Sequence, residues 1–225
     1  MINSKLVNSK FKIQIQNDMM RRIIPFLVIF PLSVLVQAQV RVKDLFASAP
    51  DSIFPLLTQN NRLDCIDFRE NNMTARVKNR MDDVSELKEL TDDYLLMQVS
   101  AHSTAELRLL SDSLFCLINT YLGPTADSRV RFFDTSWHPV AVALPQPRIE
   151  DFWQTVPDSV AQDARFARQS LQALPLLKVS AQAGEPILTF ALQTAELAEK
   201  EKEVAQRYVQ PLRFRWDGKA FQPVQ

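Results

Sequence analysis

Tyr94-Leu95-Leu96-Met97-Gln98-Val99-Ser100-Ala101-His102-Ser103-Thr104-Ala105-Glu106-Leu107-Arg108-Leu109-Leu110-Ser111-Asp112-Ser113-Leu114-Phe115-Cys116-Leu117-Ile118-Asn119-Thr120-Tyr121 is the stretch whose reading sets the fold class. Three β-prone runs, Tyr94–Ser100, Ala105–Leu110 and Leu114–Tyr121, are separated by the turn-forming pairs His102-Ser103 and Asp112-Ser113. No stripe of 3.6-residue period runs through them. Connections of hairpin length imply antiparallel pairing. Outward on both sides, further strands are predicted over Thr74–Lys78, Glu86–Leu90, Arg129–Phe133 and Trp137–Leu144. Turns are expected between Gly123 and Asp127 and at Asp134-Thr135-Ser136. The whole is a β-meander from Thr74 to Leu144.

Before the meander, Val42, Leu45, Phe46 and Ala49 fall at i, i+3, i+4 and i+7, an amphipathic helix that Pro50 ends. A second helical stretch covers Ser52 to Leu57 and Asn61 to Phe68, interrupted near Pro55. After the meander, Pro145, Pro147 and Pro157 mark a break. Val160, Ala164, Ala167, Leu171 and Leu174 then form a helical stripe, started by Ser159 with Gln162 three residues on and stopped by Pro175. A hairpin of Leu176–Ala181 and Ile187–Leu192 is expected around Gly184, followed by a charged helix, Ala195–Tyr208, with a narrow apolar edge. Leu212–Trp216 and Lys219–Val224 close the chain across Asp217-Gly218, a pair suited to a tight primed turn.

The prediction is an α+β fold: N-terminal helices, an antiparallel β-meander, then a second half of helix plus hairpins. Leu95–Ala101 is similar to Leu176–Ala181, and Trp137-His138-Pro139-Val140 to Phe221-Gln222-Pro223-Val224, a faint repeat consistent with pseudo-duplication or with chance. Residues 39–225 are expected to form one α+β domain, built as two halves, 39–144 and 148–225.

The first 38 residues read as an export signal. Arg21 and Arg22 precede an apolar run from Ile23 to Val36, and Val36-Gln37-Ala38 offers small residues for cleavage before Gln39. The run is shorter than the roughly 20 residues a bilayer span needs and contains Pro25 and Pro31, so no span is expected after cleavage. Met1 to Asp18 is longer and more polar than a signal needs, whereas a start at Met20 gives a compact basic head. Gln39, not cysteine, follows the cleavage point, which leaves no thiol for a lipid anchor. The expected destination is the periplasm or the exterior.

Of 26 basic and 26 acidic residues, the signal holds five basic (Lys5, Lys10, Lys12, Arg21, Arg22) and one acidic (Asp18). The mature chain therefore keeps 21 and 25, a net charge of −4, with no cationic run. Nucleic-acid binding is not expected. The chain has only 3 Gly, 2 Cys and 2 His. Gly123, Gly184 and Gly218 cannot be assembled into a phosphate loop, a dinucleotide fingerprint or a Gly-x-Ser-x-Gly elbow. The Cys and His spacings build no closed zinc site. No cofactor and no metal are expected. Cys65 and Cys116 are open to two readings, a disulfide closing a loop of about 50 residues or two separate buried thiols.

The acidic stretch Asp82-Asp83, Glu86, Glu89, Asp92-Asp93 lacks the spacing of a helix-loop-helix calcium site. His102 and His138 are the side chains that titrate near neutral pH without perturbation, and both lie in predicted turns. Ser85-Glu86-Leu87-Lys88 matches Ser-x-x-Lys without its companion elements. Asp51-Ser52-Ile53, Asp112-Ser113-Leu114 and Asp158-Ser159-Val160 share one form, read either as capping and turn chemistry or as acceptors of O-linked glycans at Ser52, Ser113 and Ser159.

Asn60 to Phe68 (NNRLDCIDF), Glu89 to Leu95 (ELTDDYL) and Arg213 to Phe221 (RFRWDGKAF) resemble segments of an uncharacterised secreted family of Bacteroidales, known only as a domain of unknown function. The resemblance covers essentially all of the mature chain. It implies an exported, non-lipidated envelope protein and transfers no activity and no catalytic residue.

The functional expectation is a non-catalytic binding protein of the bacterial envelope, whose partner is another envelope protein or a glycan. Its binding surface is sought on the sheet or between the halves, with exposed aromatic turns at Trp137 and Trp216. Asp92, Asp93, His102, His138 and Trp137 are the ligand-site candidates. The alternative is a hydrolase of cell-wall or glycan material using paired carboxylates, with Asp92 or Asp93 facing a second acid. Convergence of these residues with Asp64 and Asp67 in one cleft would favour the alternative.

Overall fold

The computed structural model describes residues 39–224; the expected export signal lies outside them. Gln39–Gln225 form one compact unit. Helix α1 (Val42–Ser48) buries Val42, Leu45 and Phe46, and Ala49 and Pro50 end it. Helix α2 (Gln59–Glu70) starts two residues before the expected Asn61–Phe68 stretch, because Thr58 caps it. The Thr58 hydroxyl accepts from Asn61 N at 3.1 Å, and Asn61 Oδ1 accepts from Thr58 N at 3.0 Å. This reciprocal pair satisfies two amides that a helix start otherwise leaves open. Ser52–Leu57, expected to be helical, is a loop of turns containing Pro55.

Six antiparallel strands follow in sequence order: β1 (Arg76–Lys78), β2 (Val84–Leu90), β3 (Tyr94–Ser100), β4 (Ser103–Ser111), β5 (Leu114–Leu122) and β6 (Ala126–Asp134). The second half contributes α3 (Ala161–Ala173), β7 (Leu177–Ser180), β8 (Ile187–Leu192), α4 (Glu199–Tyr208), β9 (Leu212–Trp216) and β10 (Phe221–Val224). Its four strands form a separate antiparallel sheet in the order β10-β9-β8-β7. The fold is α+β, as read from the sequence.

Parity explains why the middle of the meander reads as continuously apolar. Successive strand residues face opposite sides. Odd-numbered Leu87, Leu95, Met97, Ala105, Leu107, Phe115, Leu117 and Phe133 pack with α1 and α2 in one core. Even-numbered Leu110, Cys116, Ile118 and Phe132 pack with Val179, Leu188, Phe190, Leu192 and Trp216 of the second sheet in another. Strands β4 and β5 are thus covered on both faces, which a sheet with one wet face would not be.

The expected strand Trp137–Leu144 does not form. Pro139 bridges Phe133 and Val140 N donates to Phe132 O at 3.0 Å, but the segment leaves the edge of β6 there. Proline at 139, 145 and 147 supplies no backbone donor to continue a ladder. The turn before it is a three-residue loop in which Trp137 takes φ +65°. Asp134 organises it, accepting from Ser136 N and His138 N on its carboxylate, each at 2.9 Å. At the end of the chain, the tight loop falls at Gly218-Lys219, one position later than expected. Asp217 N donates to Ala220 O, and Gly218 takes φ +100°, a backbone region that favours glycine.

Candidate functional site

The residues nominated by sequence do not converge. Asp64 and Asp67 are exposed on α2, His102 is exposed in the β3–β4 turn, and Asp92 borders an open basin with Arg41, Lys43 and Arg69. The exposed His138 places Nδ1 3.0 Å from Asp134 Oδ2. The backbone amide of His138, followed by its ring and the Ser136 amide, holds the Asp134 carboxyl below the usual carboxylate range.

Trp137 and Trp216 are corrections to the expectation of exposed aromatic turns. Trp137 is 7% exposed and packs edge-on to Phe115 at 4.8 Å and Phe54 at 6.3 Å; its indole nitrogen donates to Leu45 O at 3.1 Å. Trp216 is buried against Phe221. Large aromatic surfaces gain more by burial than a turn position gains by exposure. Of the two readings of the cysteines, the structure holds separate thiols: Cys65 in the helix-side core and Cys116 in the other. Burial pushes both up to about 12.

Asp93 belongs to a polar network that joins the two sheets. Its carboxylate pairs with Arg108, accepts from Thr91 Oγ1 at 2.8 Å and accepts from Gly184 N at 3.0 Å. Burial raises the Asp93 carboxyl, but these partners outweigh burial and hold it below its ordinary value. Arg108, 2% exposed, also donates to Gly184 O at 2.5 Å. Glu106, 4% exposed, accepts from Tyr94 OH at 3.0 Å and Ala181 N at 2.8 Å. Burial pushes its carboxyl up.

Along β7 the amides of Leu177, Val179 and Ala181, which face away from β8, reach Asp127 Oδ1, Ser128 Oγ and Glu106 Oε2 in turn. Side chains of the first sheet therefore close the open edge of the second. Glu106 and Asp93 carry opposite shifts, a pattern also used for acid and base work, but Glu106 is buried under β7 and Asp93 is taken up by Arg108 and Gly184.

Open space lies on the other face. The loop Asp51–Leu57 is clamped over β5 and β6 by two arginines: Asp51 pairs with Arg62 at 3.1 Å and with Arg80 at 2.6 Å. Arg62, followed by Arg80, holds the Asp51 carboxyl below its ordinary value. Arg62 also donates to Leu57 O and Ala49 O, and Phe54 plugs into Phe46. Ile53 stands between two hollows. One, of about 360 Å³, has Thr104, Asn119, Tyr121 and Arg129 on its floor. The other, of about 460 Å³, lies where residues 140–144 diverge from β6 and is lined by Val130, Phe132, Val140, Val142 and Leu144, with Arg131 at its side.

A match to the family described as "Protein of unknown function (DUF3256)" spans residues 33–221. The chain belongs to that family. The three segments quoted above fall within the match, and the family description assigns no activity. Among solved structures, DUF3256 in this chain is similar to a domain of an uncharacterised protein from Porphyromonas gingivalis W83. The two are 27% identical with a TM-score of 0.63 over 81% of this chain and 97% of that one. That relative is a Bacteroidales protein. No curated protein is a significant match.

Two features of this DUF3256 chain escaped the sequence reading although each left a signal. Glu106 and Arg108 alternate with Leu107 and Leu109, which reads as a wet face but is a second buried one. Arg129 and Arg131 alternate in the same way on β6, which places both guanidinium groups on one side of the strand.

Proposed function

We propose that the mature chain is an exported, non-catalytic binding protein of the bacterial envelope, and that it binds through the hollows beneath the Asp51–Leu57 loop. The observation that carries this reading is the preformed wall and open floor: Tyr121 stands 63% exposed on a strand beside Ile53, under a loop fixed by Asp51, Arg62 and Arg80. Surface aromatics beside polar groups are typical recognition elements. Export is supported by the basic pair, apolar run and small-residue site over residues 21–38.

A photo-crosslinking residue in place of Tyr121 tests the binding, with one in place of exposed Met81 on the β1–β2 turn as control. In the native host, a discrete adduct from position 121 alone is expected; no adduct, or the same pattern from position 81, overturns the reading. N-terminal sequencing of the secreted form should begin at Gln39.

A further inference from the structure

We propose that β6, where the two hollows adjoin, carries an oxyanion site in which Arg129, on the floor of one hollow, and Arg131, at the side of the other, together hold a carboxylate or phosphate group of the ligand. The proposal rests on the binding reading above and names the chemistry of what is bound. Arg129 and Arg131 are two residues apart on one face of β6, so their Cβ atoms are about 7 Å apart. Among the described residues, neither has a carboxylate within ion-pairing distance. Asp127, the next residue on that face, turns a carboxylate oxygen to Leu177 N at 3.2 Å.

Arg131 is held in place without being neutralised. Its Nη2 donates to Asn119 Oδ1 at 3.1 Å and its guanidinium lies 5.5 Å from the centre of the Phe133 ring. Its Nε is buried without a partner. Burial, and then the charge of Arg129, depress the Arg131 guanidinium below its ordinary value, so the two like charges oppose each other. Elsewhere the chain neutralises its buried arginines, Arg62 with Asp51 and Arg108 with Asp93. An arriving oxyanion relieves the repulsion and meets a planar fork suited to two parallel hydrogen bonds. Tyr121 lines the hollow that holds Arg129.

The test is titration of the full chain with inorganic phosphate and, separately, with the disaccharide of galacturonic acid. Arginine Nε–Hε signals are followed by NMR at ionic strength matched with KCl. Saturable shifts of Arg129 and Arg131 with at least one probe are expected, with binding at least tenfold weaker in Arg129→Gln and in Arg131→Gln. Response to phosphate alone marks a phosphorylated ligand, response to the uronate alone a carboxylated one, and response to both a general oxyanion site. Arg129 is exposed, so its variant reports on binding even if Arg131→Gln does not fold. Shifts no larger than those from KCl, or equal binding by Arg129→Gln, overturn the proposal. A position-121 adduct that persists in that case would leave the binding reading standing with an uncharged ligand.

Discussion

The indole nitrogen of Trp137 donates a hydrogen bond to the carbonyl of Leu45, 92 positions earlier in the chain. This contact ties the turn after β6 to helix α1 and holds Trp137 at a positive φ that a bulky residue rarely adopts. Ser48 Oγ also reaches Leu45 O, at 3.3 Å, so the carbonyl is not orphaned when the indole is lost. Trp137→Phe should therefore cost about 0.5–1.5 kcal/mol, while Trp137→Ala, which also opens a cavity among Phe54, Phe115 and Phe133, should cost about 3–5 kcal/mol. Urea denaturation of the two variants measures both, and equal losses would show that the packing of the ring adds nothing beyond the hydrogen bond.

Glu106 gives the stability a pH dependence opposite to that of the other shifted carboxyl groups. Burial holds its folded pKa above the ordinary glutamate value, so the folded state keeps a proton that the unfolded chain has released. Stability should fall as pH rises from about 4.5 toward the folded pKa. Asp93, whose folded pKa lies below 3.8, contributes stability that is lost as pH falls through the acid range. Glu106→Gln should flatten the profile above pH 4.5 and leave the acid limb unchanged. Denaturation midpoints taken every half unit from about pH 3 to pH 8 decide the matter, and an unchanged slope in the variant would refute it.

Both cysteines should be chemically silent in the folded protein. A thiol pushed up to about 12 carries almost no thiolate at pH 8, and thiolate is the reactive form. Ellman's reagent should find no fast thiol in the native state. In denaturant without reductant it should find both, whereas finding none there would mean that the bond between them forms after all.

Ser128 fastens the edge of β7, accepting from Val179 N at 2.9 Å and bonding Thr120 Oγ1 at 2.8 Å. Ser128→Val leaves a strand amide and a buried hydroxyl short of a partner, at a cost of about 1–3 kcal/mol. Hydrogen exchange at Val179 should accelerate more than at Val77, which sits on β1 across the sheet. Equal acceleration at both would mean a global loss of stability instead of a loosened edge.

Local chemistry made much of the fold readable and tertiary context concealed the rest. Turn pairs and strand-length apolar runs located β3 to its last residue and β5 to within one residue of its end. Thr58 hid the start of α2 because its capping partner is Asn61, not the usual Glu or Gln. Trp137–Leu144 has the composition of a strand, and only its prolines and the lack of a partner beyond Phe132 prevent one. Glu106 and Arg108 could not be recognised as buried because each is hydrogen-bonded by backbone groups distant in sequence: Ala181 and Gly184 lie 75 and 76 positions away. The groove was illegible for the same reason. Its wall comes from residues 51–57 and its floor from β4, β5 and β6, and no local pattern announces that they meet.

The alternation along β5 has a consequence for the proline-rich segment between the halves. Phe115 and Cys116 are neighbours in the chain yet belong to different cores, so one strand is a party wall for both. Without that wall, Val179, Leu188 and Phe190 would face water. The prolines at 145 and 147 are therefore a tether and not a hinge between independent modules, and a protease that cut there should release no free half.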